Sequence, residues 1–237
     1  MTKQELRSSR VSRRLQGLPD SHSYLAPRTE KIGRLLAGRL PHLEFAFWDL
    51  SEFMPAFHNV RRNMVFVECE KLAVKEVIAT LASDSFTKNC LVYSGERKPK
   101  AVNEEWASAK SISEIRDVVV VLARKDFGET APFERNDYAR VPSLERRLVD
   151  LLYYSLKGFL PIALDEAVNA FEWGLNARGV SVTRMQRYAA RRYFGWFFSV
   201  LLYSLVENKR VNASLVDPRY LESGKRYYDA VLRVNKV

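Results

Sequence analysis

The closest thing to a catalytic carboxylate pair is Glu68 and Glu70, in the segment VECEK. Alternate residues of a strand share a face, so this pair could hold Mg²⁺ with Lys71 beside it, as in a nuclease. Restriction-type nucleases place one residue between the acid and the lysine, whereas Lys71 follows Glu70 directly. The same spacing fits a strand that leaves the core with charged residues at its end. We expect no metal site and keep a divergent Mg²⁺-dependent nuclease as the alternative.

Other enzyme signatures are missing from the sequence. GxxxxGK[ST], GxGxxG, GxSxG and Asp-x-Asp do not occur, which argues against a P-loop, a dinucleotide site, a hydrolase elbow and a two-metal polymerase site. His58 and Asp49 have no obvious nucleophile in their own segments, and His58 fits a surface or half-buried turn residue better than a catalytic one. Cys69 and Cys90 fit small buried hydrophobes, with a disulfide or redox pair as the alternative. We expect no catalytic residue and no cofactor.

Arginine spacing in TRMQRYAARRYFGWFF indicates binding. Arg184, Arg187 and Arg191 recur at steps of three and four, so on a helix they line one face, and Arg192 flanks them. Guanidinium groups bind carboxylates or phosphates through paired hydrogen bonds. The face therefore suits an acidic protein surface or a nucleic-acid backbone. The alternative is a face that is solvated or bridged internally to acids such as Glu145 and Asp150.

Charge is distributed unevenly along the chain, whose net charge is +10. Residues 1–40 hold nine Lys/Arg against three Asp/Glu, residues 41–140 fourteen against sixteen, and residues 141–237 fifteen against nine. Two basic ends around a nearly neutral centre favour a polyanion or an acidic partner. Near the N-terminus, Arg10, Arg13 and Arg14 fit either a basic arm that contacts phosphates or a disordered arm.

The hydropathy pattern predicts an α/β protein with a mixed sheet of about five strands and crossover helices, followed by a helical C-terminal half. Strands are expected at 44–48, 63–70, 89–94, 111–115 and 118–123, a loop around Trp106, and helices at 29–39, 51–57 and 72–82. Ser51 is the expected N-cap of the second helix. Further helices are expected from Pro142 and Ser143 onwards, at 164–178, from Thr183 to about Glu207, and at 220–231.

This pattern divides the chain into a basic arm at 1–28, an α/β region at 29–140 and a helical region at 141–237, which we expect to pack with the α/β region as one domain. An apolar content of 47% indicates a globular protein. The longest apolar run, Tyr193 to Val206, is shorter than the ~20 residues that span a bilayer, so it predicts a buried helix. The N-terminal charges precede no apolar segment, so we expect a cytoplasmic protein.

Three segments carry a resemblance to the C-terminal domain of AbiEi-type antitoxins and related putative transcriptional regulators. They are FAFWDLSEFMPAFHN, VPSLERRLVDLLYY and GVSVTRMQRYAARR. The residues that match the family motif are Ser143, Glu145, Arg146 and Asp150, together with Leu148, Leu151 and Leu152. The likeness spans roughly residues 24–205, and its motifs are structural rather than catalytic. The expected role of the charged positions is to brace the helix through arginine–carboxylate pairing.

The resemblance implies a winged helix-turn-helix that binds an operator and a C-terminal domain that counteracts a nucleotidyltransferase toxin. The chain departs from this pattern because too few residues precede Tyr24 for a winged helix. Non-specific contact with DNA through the basic ends remains open. We therefore expect a non-catalytic, antitoxin-like regulatory protein that binds a partner protein, with the nuclease as the rival interpretation.

Overall fold

The computed structural model describes residues 27–58, 63–85, 87, 90–94, 100–101, 117–124, 133–136, 139–158, 160 and 162–234. Three predictions lie outside these residues. They concern the N-terminal arm with Arg10, Arg13 and Arg14, the loop around Trp106 and the strand at 111–115.

A mixed sheet of seven strands forms the centre of the described part, in the order β4-β3-β5-β2-β1-β7-β6. The bounds are β1 Phe45–Asp49, β2 Met64–Glu70, β3 Cys90–Ser94, β4 Lys100–Ala101, β5 Asp117–Arg124, β6 Phe133–Asn136 and β7 Ala139–Pro142. The predicted mixed sheet is confirmed, but the count of about five strands is wrong. Four strands of five to eight residues are central, while β4, β6 and β7 have two to four residues. Strands this short carry too few alternations to be recognised in the sequence.

Strands β2, β5 and β3 run parallel to one another, and β1 runs antiparallel to β2. Helix α2, Val74–Ser83, connects β2 to β3, so one crossover helix of the expected kind is present. The register pairs Phe47 of β1 with Val67 of β2. Strand β2 is therefore flanked on both sides, and its near-continuous apolar sequence reflects burial on both faces.

Helices α1, Pro27–Arg39, and α2 cover one face of the sheet. The core on this face joins Val65, Val67 and Cys69 of β2 to residues of both helices. On the opposite face, Met64 and Phe66 belong to a second core. Both faces of this strand are therefore covered.

The helical C-terminal half packs against that second face. Its helices are α3 Leu144–Leu156, α4 Leu164–Ala177, α5 Val182–Arg191, α6 Gly195–Glu207 and α7 Pro218–Val234. The prediction of one helix from Thr183 to about Glu207 is wrong, because the chain turns between α5 and α6. The prediction that the long apolar run is buried is confirmed for α6, whose Phe198, Leu202 and Leu205 lie in the core. None of the described helices is long and apolar enough to cross a membrane.

A short 3₁₀ helix, Ser51–Ala56, follows β1. Ser51 does not cap it, contrary to the sequence prediction, because the helix already begins at this residue. Instead, Oδ1 of Asp49 accepts the Ser51 backbone N–H at 2.9 Å, while Oδ2 accepts the Thr29 hydroxyl at 2.5 Å. The Asp49 carboxylate thus connects β1, the 3₁₀ helix and α1.

Candidate functional site

Helix α3 brings an unusual number of charged side chains into the core. The helix starts where the sequence predicts, and its N-cap is Ser143, whose hydroxyl accepts the Arg146 backbone N–H at 3.4 Å. Arg146, Arg147 and Asp150 are all at least 97% buried. The helix lies between the sheet and the other helices, so residues on several of its sides are enclosed. Each buried charge consequently needs an internal partner.

A line of alternating charges runs from β2 through α3 to the end of α5. We call Glu68, Arg146, Asp150 and Arg192 the buried ion chain. Arg146 Nη2 lies 2.6 Å from Glu68 Oε2, and Arg146 Nε lies 3.5 Å from Asp150 Oδ2. The Trp48 indole N–H donates to Glu68 Oε1 at 2.8 Å. Both oxygens of a fully buried carboxylate are therefore occupied.

Arg192 is the last member of the buried ion chain, at the end opposite Glu68. Its Nη2 lies 2.8 Å from Asp150 Oδ1, and Nη1 donates to the Tyr154 hydroxyl at 3.4 Å. The guanidinium carbon lies 5.0 Å from the centre of the Tyr153 ring and 5.2 Å from that of Tyr154. Burial works to lower the pKa of Arg192, but Asp150 and then Tyr154 raise it above its ordinary value. The Arg192 guanidinium group stays charged. The buried ion chain therefore contains two cations and two anions.

A further acid, Glu52, whose side chain is 11% exposed, binds two arginines. Its carboxylate lies 2.7 Å from Arg147 Nη2 and 2.6 Å from Arg178 Nη2. Arg147 also lies over the Phe53 ring and Arg178 over the Trp173 ring, at 5.7 and 5.6 Å. These contacts fasten the 3₁₀ helix to α3 and α4. The triad was not predicted, because its members are far apart in the sequence.

The residues whose spacing in the sequence best fitted catalysis have surroundings in the structure that do not suit it. Glu68 and Glu70 do share a face of β2, as predicted, but Glu68 is sealed in the ion chain while Glu70 is exposed with Lys71. His58 is exposed, and its backbone N–H donates to Glu166 at 2.9 Å. Among the described residues, no group of three His, Cys, Asp or Glu side chains could hold a metal ion.

Cys69 is a free, fully buried thiol on the α1–α2 side of the sheet. Burial, with smaller contributions from the neighbouring carboxylates of Glu68 and Glu70, raises its pKa to about 12. The thiolate is therefore not formed at neutral pH, and the interpretation of Cys69 as a small core residue is confirmed. The side chain of Cys90 lies outside the described part.

The arginine face of α5 is formed as predicted, with one exception. Arg184, Arg187 and Arg191 are exposed, while Val182, Met185 and Ala189 are buried on the opposite side of the helix. The predicted flanking position of Arg192 is wrong, because its guanidinium group is directed inward to Asp150.

Arg184 and Arg192 form internal ion pairs, as the alternative interpretation of this face expected. Arg192 pairs with Asp150, and Arg184 Nη1 lies 3.6 Å from Glu145 Oε1. The same Glu145 oxygen accepts the Ser181 backbone N–H at 3.4 Å, which positions the start of α5. In the described part of the chain, no ion pair engages Arg187 or Arg191. Of the four arginines of this group, these two can therefore bind an external anion without breaking an ion pair seen among the described residues.

The turn between α5 and α6 exposes aromatic rings that the sequence analysis assigned to the core. Tyr193 has a φ of 55° and is 94% exposed, and Trp196 is 51% exposed. The N–H groups of Tyr193 and Phe194 donate to the carbonyls of Ala190 and Ala189 at 3.0 and 2.8 Å. This is the Schellman ending of a helix, with Tyr193 at the position that glycine usually occupies. In the sequence, Gly195 is the residue that could have indicated the break between α5 and α6.

A family model described as a family of unknown function, DUF6577, matches residues 11–202. The match contains the buried ion chain and the exposed turn. No curated protein and no solved structure matches the chain.

Proposed function

The chain belongs to DUF6577, a family of unknown function, and from its own geometry we propose that it is a non-catalytic regulatory protein that binds a partner protein. The observation that carries the proposal is the division of its charges. The carboxylates of Glu68, Asp150 and Glu52 are engaged internally by arginines. Arg187 and Arg191 instead present their charges to the solvent.

An acidic protein surface fits the exposed arginines better than a long nucleic-acid backbone. Between Glu172 and Glu207 the sequence contains no Asp or Glu, so this surface is positive without interruption by its own segment. A protein that makes ~6–10 phosphate contacts binds DNA with a steep salt dependence, whereas in the described part of the chain this face offers two arginines, Arg187 and Arg191, that are in no ion pair. Arginine beside tyrosine and tryptophan is also the composition of protein–protein hot spots.

The resemblance to AbiEi-type antitoxins supports a nucleotidyltransferase-type toxin as the partner. The four motif residues, Ser143, Glu145, Arg146 and Asp150, hold α3 and α5 in place. In this proposal they brace the surface and do not contact the partner. Arg187 and Arg191 supply the contact.

The test pairs this chain with the nucleotidyltransferase that the proposal expects to be encoded beside its gene. Cells that express the toxin should stop growing and should recover when the wild-type chain is co-expressed. The R187E/R191E double variant should fail to restore growth and to form a complex in size-exclusion chromatography. K209E/K225E is the matched control, because it makes the same charge change at two exposed lysines elsewhere.

Equal rescue by R187E/R191E and by the wild type would contradict the proposal. A native partner that is an unrelated enzyme subunit would also overturn the toxin assignment. A duplex-DNA function of this face would appear as binding that weakens with salt, with a slope of about −2 in log K against log [salt] for two phosphate contacts. R187E/R191E would remove that slope.

The rival interpretation is a divergent Mg²⁺-dependent nuclease at Glu68, Glu70 and Lys71. A Glu68 variant is not a suitable test of it. Replacement of Glu68 would leave Arg146 without its closest buried anion, so loss of activity could reflect misfolding. Glu70→Ala removes an exposed carboxylate instead. Mg²⁺-dependent cleavage of a labelled duplex that Glu70→Ala abolishes would replace our proposal with the nuclease.

A further inference from the structure

Tyr193 has a backbone conformation that glycine adopts readily and bulky residues rarely do. Its φ of 55° places it in the left-handed region, at the residue that ends the Schellman motif of α5. A Cβ in this region lies close to the following carbonyl group, so any residue other than glycine is strained. The tyrosine at this position therefore carries a conformational cost to the folded chain.

The fold gains little from the tyrosine ring in return. With 94% of its surface exposed, Tyr193 buries almost no apolar area. Its neighbour Phe194 behaves in the opposite way, because it is buried and stacks on Phe197 with 5.0 Å between ring centres. The ring of Tyr193 is therefore accessible for contacts outside the described chain.

The turn that carries Tyr193 is held on both sides. On one side, Arg192 is paired with Asp150 and lies over Tyr153. On the other side, Phe194 contacts Tyr153 edge to face, with 5.7 Å between ring centres. A partner that binds an exposed ring on a fixed backbone loses less conformational entropy than one that must order a mobile loop.

We propose that Tyr193 is the anchor residue of the partner-binding surface and inserts into an apolar pocket whose rim carries carboxylates. The surface comprises Arg187, Arg191, Tyr193 and Trp196. Trp196 adds a half-exposed apolar area, and the two arginines meet the acidic rim. This inference rests on the proposed function and adds to it the residue that determines affinity and the chemistry of its pocket.

Lys209 provides a matched control within the same chain. It has a φ of 57° and follows α6 in the same way, with the Arg210 N–H donating to the Leu205 carbonyl at 2.9 Å. It is also exposed, but it lacks an aromatic ring. If the left-handed conformation alone affects binding, the effect should be seen at both residues. If Tyr193 is an anchor, the effect on binding should be seen at Tyr193 only.

The first experiment places the photocrosslinking residue p-benzoylphenylalanine at position 193, 209 or 187 of the full chain in its native host. We expect crosslinks at 193 and 187 to one protein, at a pocket rimmed by Asp or Glu, and none at 209. Crosslinks at 193 to nucleic acid or to a basic surface, or equal yields at 209, would overturn the inference. A crosslink at 187 without one at 193 would overturn the anchor and leave the proposed function standing, and none at either would overturn both.

The second experiment measures affinity for the crosslinked protein by titration calorimetry. Tyr193→Gly should weaken binding by about 30-fold, as truncation of a hot-spot residue does. Tyr193→Phe, which keeps the ring, should retain most of the affinity, and Lys209→Gly should retain all of it. An affinity for Tyr193→Gly within about twofold of the wild type would rule out the anchor, since the folded state of this variant is expected to be intact.

Discussion

Arg192 Nη2 lies 2.8 Å from Asp150 Oδ1, and this ion pair joins the end of α5 to the middle of α3. Through Asp150, the pair continues to Arg146 and to Glu68 on β2. One connected line of charges thus links the centre of the sheet to the exposed turn that carries Tyr193. The proposed anchor of the binding surface, Tyr193, lies on this turn.

The first prediction concerns that pair. Asp150→Asn should lower the free energy of unfolding by about 3–5 kcal/mol, because it removes the anion between two buried guanidinium groups. Urea denaturation provides the measurement. Glu222→Gln, at an exposed pair with Arg226 on α7, is the control and should change stability by less than about 1 kcal/mol. A loss for Asp150→Asn as small as that of the control would contradict the importance of the ion chain.

The second prediction concerns the strain at Tyr193. Tyr193→Gly should raise the free energy of unfolding by about 1 kcal/mol, because glycine adopts a positive φ without steric conflict. Lys209→Gly should give a similar gain. Tyr193→Ala keeps a Cβ and should gain nothing. If Tyr193→Gly were less stable than the wild type in urea denaturation, the ring would be contributing to the fold and would not be free for a partner.

The third prediction concerns the contact between α6 and α7. A Cβ added at Gly224 would overlap the Ser199 carbonyl oxygen and lie 2.8 Å from Tyr203 Cβ. Gly224→Ala should therefore push the helices apart and destabilise the protein by about 2 kcal/mol in thermal or urea unfolding. Gly38→Ala is the control in α1, where nothing lies within 4 Å of the added Cβ. That variant should be stabilised by about 0.5–1 kcal/mol, and equal effects at both glycines would refute the close contact.

The fourth prediction concerns the pH dependence that Cys69 contributes. Its pKa is about 12 in the folded state and 9.0 ordinarily, so the unfolded chain loses this proton first as the pH rises. The stabilising contribution is therefore complete below pH 9 and is lost as the pH rises from 9 to 12. Between these values the free energy of unfolding should fall more steeply for the wild type than for Cys69→Ala. Identical slopes for the two proteins would contradict the raised pKa.

Mass spectrometry after iodoacetamide treatment provides an independent measurement of the same thiol. At pH 9, Cys69 should stay unmodified in the native protein and react after addition of urea, because the thiolate is the reactive form. Modification of the native protein at the rate of the unfolded one would contradict its burial.

The sequence predicted the faces of the elements better than their ends. In β2, Val65 and Val67 lie in one core and Met64 and Phe66 in the other, as the alternation of side chains along a strand requires. The breakpoint at Tyr193 was missed, since a bulky residue with a positive φ is rare and a continuous apolar run resembles one buried helix. The strand count failed because β4, β6 and β7 are short.

The sequence by itself determined the arginine face of α5 and the start of α3 near Ser143, because local periodicity and helix starts depend on near neighbours. Only the tertiary structure decided which charges remain available to a partner. Glu68 and Arg146 are 78 residues apart in the chain, yet they form a buried ion pair. No local pattern encodes such a contact, since it arises when the sheet and α3 pack together. That packing encloses Arg192 and leaves Arg187, Arg191 and Tyr193 at the surface.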